Sequence, residues 1–244
     1  MKETTLTVTE NRALAEKVYL LGLRGTGLEA HRPGQFVSLL TDPLFLRRPI
    51  SVFDQEGDTL RLIYKVVGKG TGRMSAWTPG MEISVLTGLG NGYDLSRAGE
   101  NPLLLGGGVG VPPLYLLARR LREAGKPVTA VLGFNRASEV FAAEAFEALG
   151  CRVTVTTADG SLGVKGFVTD ALPEDSSYFY TCGPEPMLRA VYRATKTSGQ
   201  FSFEERMGCG FGACMGCTCR TVSGPKRICR EGPVLEKEEI LWED

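Results

Sequence analysis

Residues 102–113, Pro-Leu-Leu-Leu-Gly-Gly-Gly-Val-Gly-Val-Pro-Pro, join a short apolar strand to a glycine run and then to a helical pattern. A glycine-rich turn between a strand and a helix lets the backbone approach a phosphate closely, although this run is not the G-x-G-x-x-G fingerprint. Further strand patterns at 128–133, 152–157 and 178–181 alternate with helical patterns. Strands separated by helices predict a doubly wound parallel sheet in this part of the chain.

Upstream of this sheet the chain shows short alternating segments instead of helical patterns. Turns rich in glycine and proline separate them, as at residues 24–27 and 78–80. Several short strands at such spacing predict a small antiparallel β-barrel. The candidate strands are residues 5–9, 17–23, 35–40, 59–67 and 81–87.

Downstream of the sheet, the cysteines crowd into a segment with few apolar residues. Cys209, Cys214 and Cys217 follow the spacing C-x4-C-x2-C, and Cys229 lies further along. This spacing is the plant-type ligand run of a [2Fe–2S] cluster, so these four cysteines are the predicted ligands. The glycine-rich loop lets three thiolates converge, and we expect the cluster to replace a missing apolar core.

A structural zinc site is the alternative interpretation of the cysteines. Zinc prefers two C-x2-C pairs or a pair with histidines, and the one histidine of the chain, His31, lies far away in a polar turn. We expect His31 to be a solvated loop residue. Cys219 fits no ligand spacing, yet it is the main rival of Cys229 as the fourth ligand.

Length and composition limit the classes of function. The 244 residues suggest more than one domain, which we place at residues 1–98, 99–199 and 200–244. Lysine plus arginine and aspartate plus glutamate both number 28, so there is no basic excess for nucleic acid or anionic lipid. No long apolar run and no signal peptide are visible, which favours a reduced, cytoplasmic protein without membrane contact.

Two motifs in the barrel could bind phosphates. Residues 47–51, Arg-Arg-Pro-Ile-Ser, stand at what we take as the end of a barrel strand, and residues 68–72 read Gly-Lys-Gly-Thr-Gly. An arginine and a hydroxyl beside a proline can face a pyrophosphate, and a threonine flanked by glycines can offer N–H groups. The alternative is a solvated arginine pair.

A third motif follows the last predicted strand of the sheet. Residues 181–187 read Thr-Cys-Gly-Pro-Glu-Pro-Met and open a helical pattern. Taken alone, Cys182 would be interpreted as a small buried apolar residue. Its place after a strand of the same sheet as the glycine run favours a dinucleotide site instead.

Together these motifs resemble the ferredoxin reductase superfamily. R-P-I-S followed by G-K-G-T is similar to its FAD-binding barrel, although Ile50 replaces the usual tyrosine and its stacking on the flavin. The glycine run and T-C-G-P are similar to its nicotinamide-binding lobe. The short tail, with M-G-C-G-F-G-A-C-M-G-C and R-I-C-R-E-G-P, resembles the electron-transfer subunits of NAD-dependent dihydroorotate dehydrogenases along essentially the whole chain.

The resemblance implies three cofactor sites and no catalytic acid or base on this chain. The residues implied to bind FAD are Arg48, Pro49, Ile50, Ser51, Lys65, Val66, Val67, Gly70, Thr71 and Gly72. Those implied to bind NAD are Gly107, Gly108, Gly110, Cys182, Gly183 and Pro184. NADP remains the alternative to NAD, because Arg136 follows the second strand of the sheet, near where a 2′-phosphate would lie.

The resemblance also implies a partner. An FMN-containing catalytic subunit would oxidise dihydroorotate in pyrimidine biosynthesis, and electrons would pass through the cluster and FAD to NAD+. A heterotetramer with two copies of each subunit is expected. Its docking surface would be the cluster loop, with Phe211, Met215 and Pro225, and basic residues would surround it: Arg206, Arg220, Lys226, Arg227 and Arg230.

The sequence leaves two alternative functions open. Similar subunits serve ferredoxin:NADP+ reductases and sulfide dehydrogenases, which share the three motifs and differ in the partner flavoprotein. A zinc-stabilised binding module is the non-enzymatic alternative, and it would be colourless where a flavin and iron–sulfur protein is brown-yellow.

Overall fold

The computed structural model describes residues 1–242, and residues 243 and 244 of the third predicted unit lie outside it. Its first half is a closed antiparallel barrel with the strand order β1-β2-β5-β4-β3-β6. A short helix, α1 (Lys69–Met74), precedes the last strand. The strands are β1 (Lys2–Ala15), β2 (Val18–Arg24), β3 (Phe36–Leu39), β4 (Arg48–Glu56), β5 (Thr59–Lys65) and β6 (Glu82–Leu89).

The second half is a seven-stranded sheet with helices between its strands. In chain order the elements are β7 (Pro102–Gly107), α2 (Pro112–Glu123), β8 (Thr129–Phe134), α3 (Ala143–Ala148), β9 (Arg152–Thr157), β10 (Val164–Lys165), β11 (Tyr178–Cys182), α4 (Glu185–Ala194), β12 (Gly199–Ser202), β13 (Thr218–Thr221), β14 (Gly224–Arg227) and β15 (Val234–Glu236). The sheet order is β10-β9-β8-β7-β11-β12-β15, and β13 and β14 form a separate hairpin. All neighbours in the sheet are parallel except β12 and β15.

The predicted fold class is confirmed, with one correction in the barrel. The Arg-Arg-Pro-Ile-Ser motif does not end a strand, because β4 begins at Arg48. Pro49 lies opposite Ser38 in the first ladder positions of β4, where a proline without an N–H is tolerated best. The motif therefore stands at the entrance of β4, next to the loop that leaves β3.

The cysteine segment shares the core of the sheet. β12 spans the predicted boundary between residues 199 and 200, and β15 returns to pair with β12. Cys217, Ile228 and Cys229 are buried in one cluster with Phe201 and Leu235. The expectation that a cluster replaces a missing core here is therefore incomplete, because the segment uses apolar contacts of the sheet. The division into three units stays a prediction.

Helix α2 fixes the barrel against the sheet. Leu116 of α2 is buried within the core of the barrel. The rings of Phe53 and Tyr115 stack at 4.3 Å between centroids. Arg119 Nη2 lies 3.0 Å from Asp54 Oδ1, so apolar packing and an ion pair hold the same helix face to β4. Within residues 1–242, no helix is long and apolar enough to cross a membrane.

His31 is buried, which corrects the prediction of a solvated loop. Its side chain is only 6% exposed. Its backbone N–H donates to Gln55 Oε1 at 3.0 Å, and its Nδ1 lies 2.7 Å from the same oxygen. Because Gln55 Oε1 can only accept, Nδ1 carries the proton and Nε2, which has no partner among the described residues, is the bare nitrogen.

This burial predicts a loss of stability in mild acid. Burial lowers the pKa of His31 below its usual 6.5, against smaller opposing effects of Gln55 and Glu29. The unfolded chain therefore binds a proton more readily, so the stabilisation is complete above about pH 6.5 and is lost as the pH falls below it. Thermal unfolding of the wild type and of His31→Asn, compared from neutral pH downward, should show a steeper decline for the wild type. Parallel declines would contradict the assignment.

Candidate functional site

A first cavity of about 360 Å³ lies between the barrel and the C-terminal segment. Seven of the residues implied to bind FAD line it: Arg48, Pro49, Ile50, Ser51, Lys65, Val67 and Thr71. The opposite wall comes from the sheet and the C-terminal segment, through Val109, Ser202, Phe203, Glu204, Glu205, Met207 and Pro233. Val66, Gly70 and Gly72 do not line this cavity.

Arg48 is held at the rim of the first cavity by the turn before it. Its Nη1 donates to the backbone carbonyls of Leu46 and Arg47. A Cβ on Gly70 would lie 1.9 Å from Arg48 Nε, so a larger residue here would force the arginine side chain to move from its present position. Thr71 Oγ1 accepts from the N–H of Val67 at 2.9 Å and orders the turn that enters α1. Gly70 therefore shapes the site without lining it.

A second cavity of about 500 Å³ lies at the carboxyl ends of β7, β8 and β11. Of the residues implied to bind NAD, Gly107, Gly108, Gly110 and Pro184 line it. Parallel sheets bind ligands at this edge, so the position agrees with a dinucleotide site. Sequence reasoning missed several lining residues, among them Glu139, Phe167 and Met187.

Cys182 and Gly183 lie behind the second cavity and do not line it. Cys182 is 1% exposed. Burial is the main cause that raises the pKa of its thiol, and the charge of Glu204 raises it further. A Cβ on Gly110 would come within 2.3 Å of the Cys182 carbonyl oxygen. The glycine run therefore packs directly on the T-C-G-P motif, and the two motifs form one wall.

The two cavities meet at three shared residues. Lys65 of the barrel, Val109 of the glycine run and Glu204 of the C-terminal segment line both of them. Each comes from a different part of the fold, so sequence spacing could not indicate their meeting. Phe167 lines the second cavity and is 66% exposed. The sequence offered one possible signal for it, because it is an aromatic residue beside Gly166 in a polar loop.

The four predicted cluster ligands lie as two pairs. The N–H groups of Ala213 and Cys214 donate to Cys209 Sγ at 3.2 and 3.4 Å. The N–H of Cys229 donates to Cys217 Sγ at 3.4 Å. Cys217 and Cys229 are each 2% exposed, whereas Cys214 is exposed. Within residues 1–242, no three His, Cys, Asp or Glu side chains gather around one point as a single metal ion requires.

Cys209 and Cys229, one from each pair, differ in the acidity of their thiols. Burial raises the pKa of Cys209, but the backbone N–H groups of Cys214 and Phe211 outweigh it and bring that pKa to about 6. Burial and the neighbouring Cys217 raise the pKa of Cys229 to about 12. Cys219 stands apart on β13, opposite Lys226, and burial raises its pKa as well.

The loop around the cysteines lies close to the first cavity. Met207 lines that cavity, and Cys209 follows it at the second position along the chain. Phe211 and Met215 are 41% and 53% exposed on the loop. Two of the basic residues expected to surround the loop are already paired, Lys226 with Glu239 and Arg227 with Glu231.

Comparison with known proteins agrees with this geometry. A sequence profile of the iron–sulfur cluster binding domain of dihydroorotate dehydrogenase B matches residues 204–241. A solved structure of the NADH-dependent reduced ferredoxin–NADP oxidoreductase superposes with a TM-score of 0.89 at 31% identity, over 97% of this chain and 90% of that one. A ferredoxin NADP+ reductase from Neisseria gonorrhoeae with bound FAD and NADP has a TM-score of 0.68 at 18% identity, over 80% and 90%, and shows the shared fold alone.

Two relatives match along nearly the whole length. The electron transfer subunit of dihydroorotate dehydrogenase B (NAD+) from Shouchella clausii is 44% identical, with 98% of each chain covered. The subunit of the same name from Geobacillus sp. is 42% identical, with 99% of each chain covered. The chain therefore belongs to the family of electron transfer subunits of dihydroorotate dehydrogenase B (NAD+).

Proposed function

We propose that this chain is an oxidoreductase subunit that carries electrons from a partner subunit, which oxidises dihydroorotate, to NAD+. The observation that supports this function best is that neighbouring sites share the residues that line them. The first cavity shares Lys65, Val109 and Glu204 with the second and contains Met207 of the cysteine segment. Three redox sites so placed form a continuous route across the protein. The pathway served is pyrimidine biosynthesis.

The first cavity fits FAD. Arg48 supplies a guanidinium for a phosphate, Ser51 supplies a hydroxyl, and Ile50 offers an apolar face without the usual aromatic ring. FAD, when bound, exchanges a hydride with a nicotinamide and single electrons with an iron–sulfur cluster. Phe203 and Pro233 add apolar surface to the lining of this cavity.

The cysteine loop fits a [2Fe–2S] cluster better than a zinc ion. A [2Fe–2S] cluster takes four thiolates, two on each iron. The structure presents the cysteines as two such pairs, Cys209 with Cys214 and Cys217 with Cys229. The N–H groups that already donate to Cys209 Sγ stabilise the thiolate form. Such a cluster supplies one-electron transfer. The structure joins none of the seven cysteines in a disulfide, which suits the reduced cytoplasm we propose as the location of this chain.

The second cavity fits NAD(H) at the glycine run. Gly107, Gly108 and Gly110 expose backbone to the ligand, and Phe167 offers an aromatic face for a base. Arg136 does not line this cavity, and its guanidinium is paired with Glu139 at 3.2 Å. This arrangement favours NAD over NADP, in agreement with the NAD(+) in the names of the relatives.

The partner we propose is an FMN-containing dihydroorotate dehydrogenase subunit, in a complex with two copies of each chain. The name of the relatives, electron transfer subunit, supports a catalytic partner. Phe211 and Met215 project at the cluster loop, where the partner must approach for electrons to pass. A ferredoxin-linked partner is the second candidate, since a ferredoxin–NADP oxidoreductase chain is similar at 31% identity.

The ligand assignment predicts opposite outcomes for two neighbouring cysteines. Cys219→Ser should keep the iron content and the visible spectrum, because Cys219 lies on β13 and belongs to neither pair. Cys229→Ser should lose iron, because it removes one member of a buried pair. Iron analysis and absorbance of both purified variants test this. If Cys219→Ser lost its visible absorbance while Cys229→Ser kept it, Cys219 would be the fourth ligand in place of Cys229.

The flavin assignment predicts that Arg48→Ala releases FAD. Loss of a charged hydrogen bond to phosphate costs about 1.5–3 kcal/mol, which weakens retention about tenfold or more. Flavin absorbance after dilution and gel filtration measures the loss, with iron content as the internal reference. Arg12→Ala, on an exposed side chain of β1, is the matched control. Full flavin occupancy in Arg48→Ala would count against the barrel site.

The relay predicts a division of activity between the subunits. The purified chain should pass electrons from NADH to ferricyanide through its flavin and leave dihydroorotate unchanged. Adding the FMN subunit should restore reduction of NAD+ by dihydroorotate. Orotate formation by the isolated chain would refute the proposal, and restoration by a ferredoxin alone would favour the second candidate.

A further inference from the structure

An ion pair crosses the junction of the two cavities. Lys65 stands at the end of β5, and Glu139 ends a short 3₁₀ turn, Ala137–Glu139, after β8. Lys65 Nζ and Glu139 Oε2 are 3.6 Å apart, and their side chains are 35% and 14% exposed. The barrel and the sheet therefore each contribute one charge to the same rim, which is partly shielded from water.

The carboxylate is fixed from the side of the sheet. Asn135 Nδ2 donates to Glu139 Oε2 at 3.1 Å, and Arg136 Nε donates to Oε1 at 3.2 Å. Burial alone would raise the pKa of Glu139, but the hydrogen bond from Asn135 and the charge of Lys65 lower it overall. Glu139 is therefore an anion at neutral pH, and it is held in place without Lys65.

Lys65 is the one lysine or arginine among the described residues that line the second cavity. A dinucleotide brings two negative phosphate charges into this cavity. The ammonium of Lys65 is the cation available to them, and it is already engaged by Glu139. A pyrophosphate and the Glu139 carboxylate must then compete for a single ammonium group.

We propose that Lys65 and Glu139 form a reversible latch, in which the pyrophosphate of NAD(H) displaces Glu139 from Lys65. The inference rests on the proposed function, because it takes the second cavity as the dinucleotide site. Glu139 thereby lowers the affinity for the dinucleotide and returns to Lys65 when NADH leaves. While the cavity contains no dinucleotide, the pair also links the barrel to the sheet.

The test is a double-mutant cycle read by binding of NAD+. Calorimetric titration of the full chain, loaded with flavin and cluster, gives the Kd for wild type, Glu139→Gln, Lys65→Met and the double variant. Freeing Lys65 by Glu139→Gln should lower the Kd about three- to fivefold, the range of a partly exposed ion pair. In the Lys65→Met background the same change should alter the Kd by less than about twofold.

The chain offers a matched control for the loss of a carboxylate. Glu16 Oε2 lies 3.8 Å from Arg136 Nη2 and does not line the second cavity. Glu16→Gln should leave the Kd of NAD+ unchanged. Flavin and iron content of every variant show that the chain has folded around its cofactors.

Three results would overturn the latch. An unchanged or weaker affinity in Glu139→Gln means that the carboxylate does not compete. An equal gain in the Lys65→Met background means that Glu139 acts on the ligand without Lys65. A wild-type chain that binds neither NAD+ nor NADH refutes the proposed function and the latch together, whereas normal wild-type binding with no effect of Glu139→Gln refutes the latch alone.

Discussion

The placement of the three sites depends on the hydrogen bonds of Asn91, which follows the last strand of the barrel. Its side-chain amide donates to the carbonyls of Glu231 and Val234 at 3.2 and 2.7 Å, and its side-chain oxygen accepts from the N–H of Val234 at 3.1 Å. Its backbone N–H donates to the carbonyl of Gly232 at 2.7 Å. These partners come shortly after Cys229, so a residue leaving the barrel holds the cysteine segment against it.

The parallel sheet supplies the second constraint. β7, β8, β11 and β12 run in the same direction, so their carboxyl ends reach one edge, and the chain that leaves that edge can line a shared cavity. Ser202 at the end of β12 is the ladder partner of Cys182 at the end of β11. The C-terminal segment departs from Ser202 directly over both cavities, which is how Glu204 reaches the two of them.

The spacing of neighbouring residues in the sequence made part of the fold and of the candidate site predictable. The cysteine run and the glycine run are recognisable because their chemistry requires residues close together in the sequence, and the alternation of strands and helices indicates the sheet. His31 and Glu139 were out of reach for the same reason. The environment of His31, a loop residue, is made by Gln55 on β4, and the ion pair of Glu139 requires a lysine from the barrel. The environment of such residues is made by tertiary contacts, which cannot be read from the local sequence.

The shared core also explains why so short a segment can support a redox site. Cys217 and Cys229 are buried beside Ile228 and the sheet, whereas the Cys209 and Cys214 pair lies at the surface. One half of the loop is therefore packed into the core of the sheet, and the other half is open to solvent. A segment with a core of its own would need more apolar residues than this one has. Here the sheet supplies that core, so the exposed half of the loop is left free for contacts outside the chain.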